Sequence, residues 1–174
     1  MKAKPTEPEV LDAATSLDQL YQRPGFMIRR AHQISIDMFI DTCRPLDLTP
    51  SQYGVMFVLR HADASSQIGI ARLLGLDRST TALVVRNLTE RGFIIKEPCQ
   101  TDGRKTEITL TREGRRILRR ADELAQRSRE ELMEAFSGNE ADEFMRLLGK
   151  FIDHFNDRTR VSLAGMEAGL STDA

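Results

Sequence analysis

The chain has 174 residues, 40% hydrophobic and 29% charged, and its 25 Lys and Arg against 26 Asp and Glu leave a net charge of −1. That balance fits one globular domain of ordinary size and excludes a disordered chain or a uniformly basic nucleic-acid binder. No apolar run approaches the roughly 20 residues of a membrane-spanning helix, the first residues hold no secretory signal, and two cysteines 56 positions apart form no CxxC pair. These features suit a reducing cytoplasm and no membrane partner.

The charge is uneven. Residues 65–120 carry 12 Lys/Arg and 6 Asp/Glu, and the remainder carries 13 and 20. A basic middle between acidic flanks points to one face built for a polyanion.

Residues 1–22 are expected to be a tail and a short helix, with Val10, Leu11, Ala14, Leu17 and Leu20 at helical spacing. Pro24 fits the first turn of the next helix, which Phe26, Ile28, Ala31, Ile34, Met38 and Phe39 make amphipathic. Thr49-Pro50-Ser51-Gln52 is a capping box with proline at the first helical position. The helix it opens turns Tyr53, Met56, Phe57 and Leu59 to a core and stops near His61 to Ala64. Ser66 caps a shorter helix with Ile70, Leu73 and Leu74 on its apolar face, although Gly69 lowers helix propensity near its start. Gly75 breaks the helix, Asp77 caps a second one over Arg78 to Leu88, and Gly92 ends it.

Phe93 to Ile95 and Glu107 to Leu110 then read as paired strands around a turn over Pro98 to Gly103. Thr111 caps a long charged helix through about Phe136. In the last helix, Phe144, Leu147, Leu148, Phe151, Ile152 and Phe155 repeat at i, i+3, i+4, i+7, i+8 and i+11. From Thr159 to Ala174 a flexible tail is expected.

A short helix, a tight turn and a second helix make a helix-turn-helix, whose second helix reads the major groove. Its outward positions are expected to be Arg78, Ser79, Thr80, Thr81, Arg86 and Asn87. Arginine can pair bidentately with guanine and asparagine with adenine, and small hydroxyls permit close approach. The strand pair adds a wing, whose basic tip holds Gln100, Thr101, Asp102, Gly103, Arg104 and Lys105 and suits a backbone or minor-groove contact. The expected fold is mainly α: a winged helix-turn-helix lobe with a two-stranded β wing over 48–111, and a helical dimerisation lobe from 23–47 and 112–158. The Phe144 to Phe155 stripe supplies the apolar surface such a lobe would present to a partner.

Three stretches resemble the MarR family of bacterial winged-helix regulators: Leu48-Thr49-Pro50-Ser51-Gln52-Tyr53, Leu73 to Thr80, and Asp102-Gly103-Arg104 through Leu110-Thr111 and Gly114. In order and spacing they cover about residues 26–157. One departure is Gly69, where members often carry glutamate. The resemblance implies an obligate homodimer on a pseudo-palindromic promoter site of double-stranded DNA, usually a repressor, released by a small, often aromatic, anionic ligand. It carries recognition onto Arg78, Ser79, Thr80, Thr81 and Arg86, wing orientation onto Asp102 and minor-groove entry onto Arg104.

Family pockets lie between the dimerisation helices and the DNA-binding lobe. Arg29, Arg30 and His32 could meet a carboxylate or phosphate there, with Phe26, Ile36, Met56 and Phe57 around a ring and Arg60 and His61 nearby. The expected effector is an aromatic carboxylate or an aromatic acyl-CoA, as in members that control aromatic-acid catabolism. The alternative is a thiol redox sensor using Cys43, beside Arg44, or Cys99, beside the basic wing. His32, His61 and His154 are scattered, so no metal and no cofactor is expected. No phosphate loop, G-x-S-x-G or HExxH suggests an enzyme.

Overall fold

The computed structural model describes residues 13–62, 66–99 and 106–163, with side chains from Leu17 onward. Helix α1 spans Ala13–Tyr21 and α2 spans Pro24–Thr42. The chain falls into two compact units whose boundary lies inside α2, between Asp37 and Met38.

In the first unit, Tyr21 and Phe26 bring their rings to 5.2 Å across the α1–α2 junction. The Arg29 guanidinium lies 5.0 Å over the Phe26 ring, and its Nη1 donates to Gln33 Oε1 at 3.1 Å. Not one residue of α2 is buried.

The second unit holds the core. After a 3₁₀ turn at Arg44–Leu46 come α3 (Pro50–His61), α4 (Gln67–Leu74), α5 (Arg78–Glu90), β1 (Ile94–Pro98), β2 (Thr106–Leu110), α6 (Arg112–Met133) and α7 (Glu140–Phe155). Helix starts follow the capping residues. Gln52 N donates to Thr49 Oγ1 at 3.3 Å while Thr49 N donates to Gln52 Oε1 at 3.0 Å, so two otherwise orphaned donors are satisfied. Ser66 accepts from Gly69 N at 3.1 Å, so the helix start that Gly69 weakens is secured by its cap. Gly75 closes α4 at φ +63, the left-handed conformation glycine adopts without steric cost.

The strands pair antiparallel, with Ile94 opposite Leu110 and Pro98 opposite Thr106. Strand β1 starts one residue after the expected Phe93 and ends three beyond the expected Ile95, at Pro98, where the ladder's end makes a missing N–H cost least, and β2 starts one residue before the expected Glu107. Thr111 Oγ1 caps α6 by accepting from Gly114 N at 2.9 Å. Gly114 is forced by packing: a Cβ there would fall 1.9 Å from Phe93 O. Met56, Ile70, Val85, Leu88, Ile94, Ile108 and Leu118 are at most 2% exposed and join α3, α4, α5, the wing strands and α6 into one core. Arg91 ties the helix-turn-helix to the chain before α3, donating to Leu46 O at 2.8 Å and stacking 4.7 Å over Phe93.

Helix α6 stops at Met133, earlier than the expected Phe136. Of the tail expected from Thr159, residues 159–163 are joined to Asn156 by side-chain hydrogen bonds of Asn156 and Thr159, and residues 164–174 lie outside the described residues.

Candidate nucleic-acid interface and effector cluster

The start of α5 is organised by Asp77. Thr80 N donates to its Oδ1 at 2.8 Å, and the Ser79 and Thr80 hydroxyls donate to Oδ1 at 2.5 Å and Oδ2 at 2.7 Å. These bonds, the Ser79 hydroxyl foremost, hold the carboxyl well below the usual carboxylate range. Arg78, Ser79 and Arg86 are exposed, and the Arg86 guanidinium is 3.8 Å from Glu90 Oε1. Both sides of that pair are two-thirds exposed, so it holds Arg86 weakly and leaves it available.

Thr81 is a correction. It is 1% exposed, with its hydroxyl donating to Asp77 O at 2.8 Å, so it does not point outward. It lies three and four residues before Val84 and Val85, on the face that also buries Leu88. The outward face instead includes Ala82 and Leu83, the latter 49% exposed and suited to a thymine methyl. Thr80 and Asn87 are half-buried on the flanks. Asp102, Arg104 and Lys105 lie outside the described residues; of the described wing, Lys96 is exposed.

The residues expected to meet an effector divide between the units. Phe26, Arg29, Arg30, His32 and Ile36 belong to the first, where Arg30 and His32 are exposed and Ile36 is half-buried. Met56, Phe57 and Arg60 belong to the second. Met56 is fully enclosed with Val55 on the inner face of α3, so it supports the core and does not line an open pocket.

Phe57 and Arg60 join a larger cluster. Rings succeed one another from Phe39 to Tyr53 at 5.6 Å, Tyr53 to Phe57 at 5.7 Å and Phe57 to His61 at 4.4 Å. Arg60 lies 5.4 Å over Phe57, donates from Nε to His61 Nε2 at 2.7 Å, and pairs through Nη1 with Asp122 Oδ2 at 2.5 Å. Asp122 also accepts from the Tyr53 hydroxyl at 3.1 Å. Burial first, and the Asp122 charge second, push the Tyr53 phenol up to about 12, so it stays a donor. Asp122 and Phe39 were not singled out in the sequence. Phe39 was one apolar residue of a helix, and nothing local ties Asp122 to Arg60 across 62 positions.

Cys43 cannot serve the redox reading. It is 0% exposed in the core, and burial pushes its thiol up, away from the reactive thiolate. Cys99 is half-buried at the end of the described wing. Among the described residues no group of three His, Cys, Asp or Glu could hold a metal ion, and no helix is long and apolar enough to cross a membrane.

A helix-turn-helix packed against a two-stranded wing defines the winged-helix class of DNA-binding proteins. Residues 46–105 match the sequence profile of the MarR family. A Thauera aromatica protein named for regulation of the hcr operon is 28% identical over 125 residues, 71% of this chain and 75% of the relative. The structure of Bordetella bronchiseptica BpsR, whose DNA binding is regulated by 6-hydroxynicotinic acid, matches with a TM-score of 0.71 at 26% identity, covering 76% of this chain and 95% of BpsR. The repressor CouR of Rhodococcus jostii, solved on a 23-mer DNA duplex, matches with a TM-score of 0.71 at 27% identity, covering 78% and 96%. The family match is confined to the helix-turn-helix and wing segment, and over about three quarters of its length the chain is similar to transcriptional regulators.

Proposed function

We propose that this protein is a homodimeric repressor that binds a pseudo-palindromic promoter site and is released by a small aromatic anion, an aromatic carboxylate or its CoA thioester. The outer face of α5 carries the reading: Arg78, Ala82, Leu83 and Arg86 stand clear of a helix whose other face is locked into the core. Arg78 and Arg86 read bases in the major groove, Ser79 and Thr80 lie close to phosphate, and Arg104 and Lys105 of the wing reach the neighbouring groove. Two-fold pairing through the exposed apolar faces of α2 and α7 would set two reading helices about one DNA turn apart.

The effector is recognised by the cluster of Tyr53, Phe57, Arg60 and His61. An aromatic carboxylate would stack on Phe57 and compete with Asp122 for Arg60. That exchange opens the Arg60–Asp122 link between α3 and α6, the two helices that flank the helix-turn-helix and wing in sequence. The ligand lowers DNA affinity only as far as it prefers the opened state, about 5- to 150-fold. BpsR, a relative regulated by an aromatic acid, supports this chemistry. Phe26 with Arg29 and Arg30 forms a second cationic-aromatic surface of the same kind.

Fluorescence anisotropy on DNA from upstream of its own gene, at two salt concentrations and with aromatic acids and their CoA thioesters, tests the reading. Tight, salt-sensitive binding reversed by one compound is expected, and no specific binding at either salt would overturn it. Asp122→Asn frees Arg60 and is expected to raise effector affinity several-fold; unchanged affinity would remove Arg60 from the effector site.

A further inference from the structure

We propose that residues 156–163 form a strap that carries Arg160 to the start of the reading helix, where with Arg72 and Arg78 it binds a DNA phosphate. The inference rests on the DNA-binding reading above. The strap is a built element. Asn156 clips its two ends together, accepting from Leu163 N at 2.8 Å and donating to Leu163 O at 3.1 Å. The Thr159 hydroxyl lies within hydrogen-bond reach of Asn156 O at 2.7 Å and Val161 O at 2.9 Å. The clipped turn sets Leu163 against the helix-turn-helix: a Cβ on Gly75 would meet Leu163 Cδ2 at 3.2 Å. Gly75 thus serves both the left-handed turn and the seat of the strap.

Two open clefts, of about 600 and 530 Å³, flank the strap. Arg78 and Arg160 line both, and Arg72 of α4 lines the second. Three arginines from three elements therefore border the clefts beside the first turn of α5. Among the described residues none of the three pairs with a carboxylate. Asp77 borders the first cleft as an ionised carboxylate, with its oxygens turned to Ser79 and Thr80. Arg72, Arg78 and Arg160 outnumber the single carboxylate, Asp77, that borders the clefts, and an anion placed among them relieves the repulsion that remains. A DNA phosphate is the anion presented when α5 enters the major groove, and arginine meets it with a planar fork of donors.

Anisotropy with the upstream DNA and a scrambled duplex, over a salt series, tests this on the full chain. Arg160→Ala is expected to weaken both duplexes alike, because a phosphate contact carries no sequence information. The slope of log affinity against log salt should become shallower by about 0.9 for each Arg160 engaged. Leu163→Asp, which unseats the strap and keeps Arg160, should reproduce the loss. Arg78→Ala should instead weaken the upstream DNA more than the scrambled duplex.

Unchanged affinity and slope for Arg160→Ala, alongside a loss for Arg78→Ala, would overturn the strap and leave the DNA-binding reading standing. Tighter binding by Arg160→Ala or Leu163→Asp would make the strap an obstruction and overturn its role as a contact. Inorganic phosphate bound by the DNA-free protein and lost in Arg160→Ala, with DNA affinity unchanged, would assign the cleft to a free anion. Failure of the unaltered protein to bind DNA at any salt would overturn the underlying reading itself.

Discussion

Helices α5 and α7 both present an open face, but of opposite chemistry. Helix α5 buries Thr81, Val84, Val85 and Leu88 and turns Arg78, Ser79 and Arg86 to solvent. Helix α7 buries only Gly149 and leaves Phe144, Met145, Leu147, Leu148 and Phe151 between 36% and 49% exposed. A charged face on a capped, core-anchored helix is satisfied by water and needs no partner to fold, so it is free to meet a polyanion. A contiguous apolar face is costly in water and calls for a protein surface. Helix α2, with no buried residue and with Met27, Ile28, Ile34 and Ile40 at least 40% exposed, shares the character of α7. One lobe encloses its apolar residues within the single chain, and α2 and α7 leave theirs open.

The sharpest way to break that contrast is to place charge on the α7 face. Leu147→Glu combined with Phe151→Glu is expected to give monomers by analytical ultracentrifugation and to weaken operator binding about 10²- to 10⁴-fold through lost bivalency. The core lies elsewhere, so far-UV circular dichroism of the DNA-binding lobe should persist. Leu83→Glu, an equally drastic change on the exposed face of α5, should leave the dimer intact and weaken DNA binding alone. Dimers surviving the α7 replacement would show that its apolar stripe has another purpose.

The enclosed lobe has its own weak point. Gly114→Ala would drive a methyl group into Phe93 O, the carbonyl that also accepts from Thr111 N at 3.0 Å. The junction of wing and α6 must open to relieve this, at about 3 kcal/mol. Denaturant unfolding should register the loss; full retention of stability would mean that the close approach relaxes freely. Any loss of DNA affinity should follow the loss of folded protein, whereas the α7 variant loses affinity while its lobe remains folded.

These contrasts mark what the sequence could disclose. The capping box at Thr49 and Gln52, the cap at Asp77 and the left-handed Gly75 depend on contacts within three or four residues, so residue type and spacing reveal them. The inward phase of Thr81 was also legible, from its spacing to Val84, Val85 and Leu88, but the preference for hydroxyls at a DNA-reading position masked it. Met56 likewise shares the buried side of α3 with Gln52 and Val55. Asp122 meets Tyr53 and Arg60 across 69 and 62 positions, and Leu163 reaches Gly75 only because α7 returns the chain there. No local pattern encodes such meetings. The exposed stripe of α7 was visible as periodicity, but its exposure was not, because an apolar face looks alike whether it is covered by its own chain or by another.

The smallest effect expected is acid sensitivity at the start of α5. Asp77 titrates below its ordinary value of 3.8 in the folded chain, so its ionised form is the one that folding favours. The stabilisation is complete above that ordinary value and is lost as pH falls through the lower folded value. Asp77→Asn retains a capping oxygen but no titratable charge. The melting-temperature difference between the unaltered protein and Asp77→Asn should hold steady from neutral pH down to about pH 5 and shrink below the ordinary carboxylate value. A difference constant to the most acidic pH at which both proteins fold would mean that Asp77 caps by shape alone. Its carboxylate would then contribute no charge to the hydroxyl network that presents Ser79 and Thr80 beside the reading face.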